Sequence, residues 1–484
     1  MPSDKSSPQP PRCPASCAGR RAQRFLLALG AFVAVLSAYG CVTVAVDEEP
    51  VRSTPLRPVW SGLEVRRHLS FFNNNAVAGR ATGTRAYVLA SAYVAARMRE
   101  FGLQPALGSE FRTLYPTRVN FPKAFRLTAS GRLDTLLFIP GVDALPDGRT
   151  DGGRLEGDRV IIRPDSAQRL SDLIVLWPAG EATTEALMGL RRQGARAVLT
   201  VGPLTPRRVA APVTGLVVLQ VTEQALGRLL GVDEAAARRI LTEMRNRVRR
   251  LPRTIELDVE VEALPELQGI NLLGYVPGKV PPHLSELVIV CADLDAVGDF
   301  GGARVIDRAH PGAGAAALLE LARQYSVFAD YLTIPDRTIL FAVWSGARTG
   351  QAGLRAYLEE PGWVRENIRS VIYVGPDAAD TTGLRALVEP HGWRFHAVLP
   401  PDSLAPVPEP ILLPEAPWMK VLRDLRPDDV PPVPDLDEER ARDEQAALAL
   451  ADRAHRLILR ETVVPAPPVL FIGDSLYVPR VTNE

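Results

Sequence analysis

The chain predicts an α/β protein, a mainly parallel sheet flanked by helices, and three observations in its C-terminal half carry that reading. Leu287-Val-Ile-Val-Cys-Ala292 and Ile339-Leu-Phe-Ala-Val-Trp344 are continuous apolar runs rich in β-branched residues, the pattern of buried strands. Gly314-Ala-Ala-Ala-Leu-Leu-Glu-Leu-Ala322 lies between them and has the composition of a helix. Ser370-Val-Ile-Tyr-Val-Gly375 then repeats the strand pattern, so strands and helices alternate along this part of the chain.

Taken in order, the chain opens with a basic tail, residues 1–24, ending in Arg20, Arg21 and Arg24. The uncharged run from Phe25 to Val46 exceeds the roughly 20 residues that a helix needs to cross a bilayer. Its positive flank predicts an N-terminus inside and an exported remainder, as a signal peptide or a membrane anchor over 25–46. Within it, Leu36-Ser-Ala-Tyr-Gly-Cys41 loosely resembles a bacterial lipoprotein cleavage box, which would make Cys41 a lipidated residue. The expected location is the cell envelope, membrane-anchored. Of the four cysteines only Cys291 falls in the exported part, so no disulfide is available there, and its strand setting makes it a small core residue.

Composition excludes some classes. Basic and acidic residues balance at 56 each and 46% of the 484 residues are hydrophobic, which suits a folded chain of two or three domains and gives no global attraction for nucleic acid. Arg238, Arg239, Arg245, Arg247, Arg249, Arg250 and Arg253 form a local exception on or just after a helical segment, and read as a solvated helix face.

Residues 60–125 read as N-terminal helices of the α/β body, with His68–Arg80, Thr82-Gly-Thr and the run Ala90–Pro105 as their markers. Residues 126–264 interrupt that body with further strands, among them Arg159–Arg163, Asp172–Trp177 and Gly215–Val221. Between the last two, a helix from Glu185 stops at Gly194 and leads into a strand, a unit that resembles a protease-associated domain. Residues 265–484 resume the α/β body. Within it, residues 400–434 are proline-rich and read as an extended surface excursion, and Asp435–Arg460 as a helix.

The motif that bears on function starts at Asn271-Leu-Leu-Gly-Tyr-Val-Pro-Gly278 and passes through Asp293-Leu-Asp-Ala-Val-Gly298. It ends in Ser345-Gly346 followed by Ala347, Arg348, Thr349 and Gly350. This framework resembles the zinc aminopeptidases that include glutamate carboxypeptidase-like and transferrin-receptor-like proteins, metallopeptidase family twenty-eight. The resemblance implies a two-zinc peptidase fold, with the first ligand histidine falling on Asp293 and the aspartate after it kept as Asp295. It puts the metal-bridging aspartate on His310, the general base on Ala347, a ligand glutamate on Arg348, and later ligands on Gly375, with Asp377 two residues on, and on Val478.

A catalytic zinc takes about three nitrogen or carboxylate ligands. An arginine at a ligand place and an alanine at that of the general base therefore lead to the expectation of no cofactor and of a catalytically inactive, membrane-attached homologue. Its cleft, lined by Asp293, Asp295, His310, Arg348 and Asp377, would bind a peptide or protein, and opposite charges there would form a salt-bridge network. The alternative is an active metallopeptidase holding zinc through relocated ligands. Ser345-Gly346 lacks the flanking glycine of a nucleophile elbow, and none of the six histidines form an i,i+4 pair.

Overall fold

A computed structural model of the chain describes residues 58–74, 76–77, 79–306, 312–331, 335–375, 381–401, 411–414, 436–462, 470–472 and 475–477. The segment 25–46 with Cys41, and the positions His310, Asp377 and Val478, lie outside the described residues. No helix among the described residues is long and apolar enough to cross a membrane.

Two capped helices open the folded part. Helix α1, Gly62–Phe72, starts at Ser61, whose hydroxyl accepts the Glu64 amide at 3.2 Å. Helix α2, Arg85–Glu100, starts in the same way at Thr84, with the Tyr87 amide at 3.2 Å, and buries Tyr87, Ala90, Val94 and Met98 on one face. The chain then enters β1, Arg112–Ser130.

The next elements are β2 (Gly153–Ile162), β3 (Ile174–Pro178), α3 (Thr184–Arg192), β4 (Ala197–Val201), β5 (Val217–Val221), α4 (Glu223–Leu230) and α5 (Glu234–Glu243). Strands β2 to β5 pair in parallel, and their side chains feed two cores. One holds Leu226, Leu229, Leu230 and Leu241 from α4 and α5, and the other Leu187 and Leu190 from α3. This lobe is therefore a small sheet with helices on both faces.

Strand β6, Arg247–Val276, returns the chain to the main body. It pairs antiparallel with β1 from Arg112↔Leu272 to Ser130↔Thr254, so the two strands run together through both lobes. After it come β7 (Leu287–Asp293), α6 (Ala313–Tyr331), β8 (Thr338–Trp344), α7 (Ala352–Glu359), β9 (Ile368–Val374), α8 (Thr381–Val388), β10 (Arg394–Val398) and α9 (Leu436–Thr462). One continuous sheet results, in the order β10-β9-β7-β8-β6-β2-β3-β4-β5 and then Ala144–Pro146. Helices α6 and α9 pack on one side of its main-body half, while Leu354, Tyr357 and Leu358 of α7 and Leu384 and Val388 of α8 cover the other. Gly314 lets α6 pass close to the end of β9, since a Cβ there would stand 2.5 Å from the Val374 carbonyl oxygen.

Three details differ from the sequence reading. The sheet is mixed α/β as expected, but its two parallel halves are joined through antiparallel β6. The arginine run is not one helix face, because α5 ends at Glu243 and Arg247, Arg249, Arg250 and Arg253 lie on β6, with Arg250 paired to Asp158 at 2.7 Å and Arg253 to Asp134 at 2.6 Å. The proline-rich excursion contributes a strand, Ile411–Pro414, which pairs antiparallel with Ala303–Ile306.

Candidate functional site

In parallel sheets the crevice lies beyond the carboxyl ends of the strands, and β7, β8 and β9 all end on one edge. Asp293 is the last residue of β7 and faces Trp344, the last of β8, in register. The loop that follows carries Asp295, and the turn after β8 carries Ala347 and Arg348. The structure thus brings Asp293, Asp295, Ala347 and Arg348 to one rim, with Gly375 just past the end of β9.

The contacts show how that rim is held. Asp295 Oδ1 accepts the Ala347 amide at 3.1 Å, and its Oδ2 accepts the Arg348 amide at 3.4 Å and the Thr82 hydroxyl at 3.3 Å. Thr82 Oγ1 in turn accepts the Gly346 amide at 2.7 Å. One carboxylate therefore ties the loop after β7 to the turn after β8 and to the connection between α1 and α2. Burial pushes the Asp295 carboxyl above the usual range, and the Arg348 guanidinium and the two backbone amides pull it back. Asp293 Oδ2 accepts the Tyr373 hydroxyl at 2.8 Å, joining β7 to β9.

Below the rim several polar groups are paired. Tyr115 and Ser345 share a hydroxyl–hydroxyl hydrogen bond of 2.7 Å, and burial pushes the Tyr115 phenol up. Asn271 donates to the Gly353 carbonyl at 2.8 Å and accepts the Ser345 amide at 3.3 Å. Cys291 is buried and its thiol is pushed up to about 12 by desolvation, as suits a core residue. Replacing Tyr115 with phenylalanine is expected to cost about 1 kcal/mol of stability, the net worth of one such bond, measured as a shift of the denaturant midpoint at unchanged slope.

Sequence reasoning singled out the charged rim but missed Thr82, Tyr115 and Tyr373 as its supports. Thr82, Asn271 and Tyr373 stood inside the quoted motifs, so a signal existed for them; Tyr115 had none.

No protein-family profile matches the chain. Among solved structures it is similar to an aminopeptidase from Aneurinibacillus sp. strain AM-1, at 13% identity and a TM-score of 0.52, over 87% of this chain and 97% of that one. The chain has an aminopeptidase-type fold. It is also similar to a zinc aminopeptidase from Bacillus subtilis, at 13% identity and a TM-score of 0.49, over 85% of this chain and 98% of that one. A family twenty-eight peptidase precursor from Shewanella amazonensis SB2B matches at 16% identity and a TM-score of 0.47, over 82% of this chain and 93% of that one.

The expectation of no cofactor is overturned by these comparisons, which include solved structures described as a zinc aminopeptidase. The described residues do not by themselves fit that ion. No group of three or more His, Cys, Asp or Glu side chains able to hold a metal occurs among them. Both oxygens of Asp295 already accept N–H or O–H donors, and the guanidinium of Arg348 is a permanent cation within the field of that carboxylate.

Proposed function

We propose that this chain uses its aminopeptidase-type fold to bind a peptide or protein in the cleft beyond β7, β8 and β9, without hydrolysing it by the route of the family it resembles. The observation that carries this reading is the Ala347–Arg348 turn. Its amides are fixed to Asp295, so a methyl group and a guanidinium are held in the place where a proton acceptor and a metal ligand are expected. A positioned acceptor is worth ~10²–10⁴-fold in rate, and a methyl group cannot take a proton. A rim with carboxylates and a guanidinium suits a ligand that carries both signs of charge, as a peptide does, and the balanced net charge gives no reason to expect a nucleic acid. In the same reading, residues 25–46 keep the folded part exported and attached to a membrane, directly or through Cys41. Residues 126–264 act as a protease-associated-like insert.

The test pairs metal content with turnover. The purified full chain, supplied with zinc, is offered aminoacyl anilides and short peptides while bound zinc is measured by elemental analysis. The expected result is no hydrolysis that a chelator abolishes. Chelator-sensitive cleavage with one or two zinc ions per chain would replace this reading with that of an active metallopeptidase.

A further inference from the structure

The loop that carries Asp295 is gripped from both sides by buried arginines. On one side is Arg80, only 1% exposed, whose Nε donates to the Leu294 carbonyl at 2.7 Å and whose Nη1 donates to the Phe72 carbonyl at 2.9 Å. The Ala296 amide returns a bond to the Arg80 carbonyl at 3.1 Å. On the other side is Arg208, 6% exposed, which comes from the inserted lobe. Its Nε donates to the Val297 carbonyl at 2.9 Å and its Nη2 to the Asp299 carbonyl at 2.7 Å. Its guanidinium lies 4.5 Å from the Phe121 ring centroid and 5.5 Å from that of Phe300.

Arg208 sits in the segment between β4 and β5, where the Arg207 carbonyl lies against Gly148. That segment is itself fixed, with the Asn120 amide bonded to the Val209 carbonyl at 2.9 Å and Gln220 Nε2 to the Thr205 carbonyl at 2.8 Å. The third nitrogen, Nη1, is buried without a hydrogen-bond partner, so the cation depends on the two loop carbonyls. A loop that moved away would leave a buried, unsatisfied charge, which proteins tolerate poorly.

We infer that Arg208 is a positioning residue through which the insert sets the conformation of the cleft loop, so that the segment between β4 and β5 and the Asp295–Ala347–Arg348 rim move as one unit. A displacement of that segment would then be felt at the cleft. This deepens the binding reading above, but the loop coupling needs no ligand to be measured, so the two fail separately.

Hydrogen exchange read by mass spectrometry on the full chain in detergent tests it, with Arg208→Met removing the charge at similar volume and Arg208→Lys keeping it with a poorer fork. In Arg208→Met, exchange over residues 294–300 and 346–348 is expected to rise at least tenfold, while α2 and β9 stay at the wild-type rate. Arg208→Lys recovers part of that protection. Rates over 294–300 and 346–348 within twofold of wild type, or an increase spread evenly over α2 and β9, would overturn the inference. If Arg208→Met does not fold, Arg208→Lys is read by the same local-against-uniform criterion.

Discussion

Asp295→Ala is expected to destabilise the folded chain by about 4 kcal/mol and to release the turn after β8. Three donors lose their acceptor at once, the amides of Ala347 and Arg348 and the hydroxyl of Thr82. An unsatisfied buried polar group costs about 1–3 kcal/mol, and the penalty for burying the carboxylate itself, removed with it, offsets part of the sum. Asp295→Asn keeps one acceptor and is expected to cost less. The pH dependence separates the two contributions. Because the folded carboxyl is raised above its unfolded value, the folded state holds its proton more tightly. Stability from this group is therefore greatest below the unfolded value and falls as pH rises through the folded one. A melt of Asp295→Asn should lack that fall as pH rises above the unfolded carboxylate range. Equal pH profiles for wild type and Asp295→Asn would show that another group carries the charge penalty.

Arg80→Met is the second large effect, at about 3 kcal/mol, and its signature is local. Methionine fills the volume but leaves the carbonyls of Leu294 and Phe72 without their donors, and removes a cation that lies 5.3 Å from the Phe72 ring centroid. The neighbouring contact is equally close. Gly298, at φ +67°, lies against Gly79 so tightly that a Cβ on Gly298 would stand 2.6 Å from the Gly79 Cα. Loss of Arg80 should therefore loosen this backbone contact along with the hydrogen bonds. The check is a denaturant midpoint together with peptide-bond accessibility to protease near residue 298. A midpoint within about 1 kcal/mol of wild type would mean that water replaces the guanidinium at both carbonyls.

The parts of the fold that could be read from the chain are those whose burial is uniform. Strands β7 and β8 are covered on both faces, so Leu287–Ala292 and Ile339–Trp344 are continuous apolar runs that need no partner to be recognised. Strand β6 hides for the opposite reason. It passes from one lobe to the other with its exposed face changing on the way, and it contains Pro252 and Pro265, which read as breaks. Both prolines fall where the ladder to a neighbour is irregular, the one between the pairs Gly157↔Ile255 and Arg159↔Arg250, the other between Thr117↔Leu267 and Val119↔Leu264. Bulges are where a strand accepts proline.

The candidate site divides along the same physical line. Its charged rim follows from motif spacing, so Asp293, Asp295, Ala347 and Arg348 could be placed before any coordinates. Their partners could not. Thr82 and Asp295 are 213 residues apart, and Tyr115 and Ser345 are 230 apart, so only the folded chain brings these groups together. The zinc expectation failed in another way. It inferred the absence of a group from substituted positions, whereas the solved structures similar to the chain include one described as a zinc aminopeptidase.

The paired strands β1 and β6 make the inserted lobe a cantilever, a ladder that leaves the main body and comes back without a flexible joint. Val119 and Leu264 face each other across it, so the chain departs and returns at a single rung. Everything beyond that rung is a single excursion of the chain, and its excision would carry away Arg208 with its grip on the cleft loop and Leu145 from the apolar cluster it shares with Val297, Phe300 and Ala303.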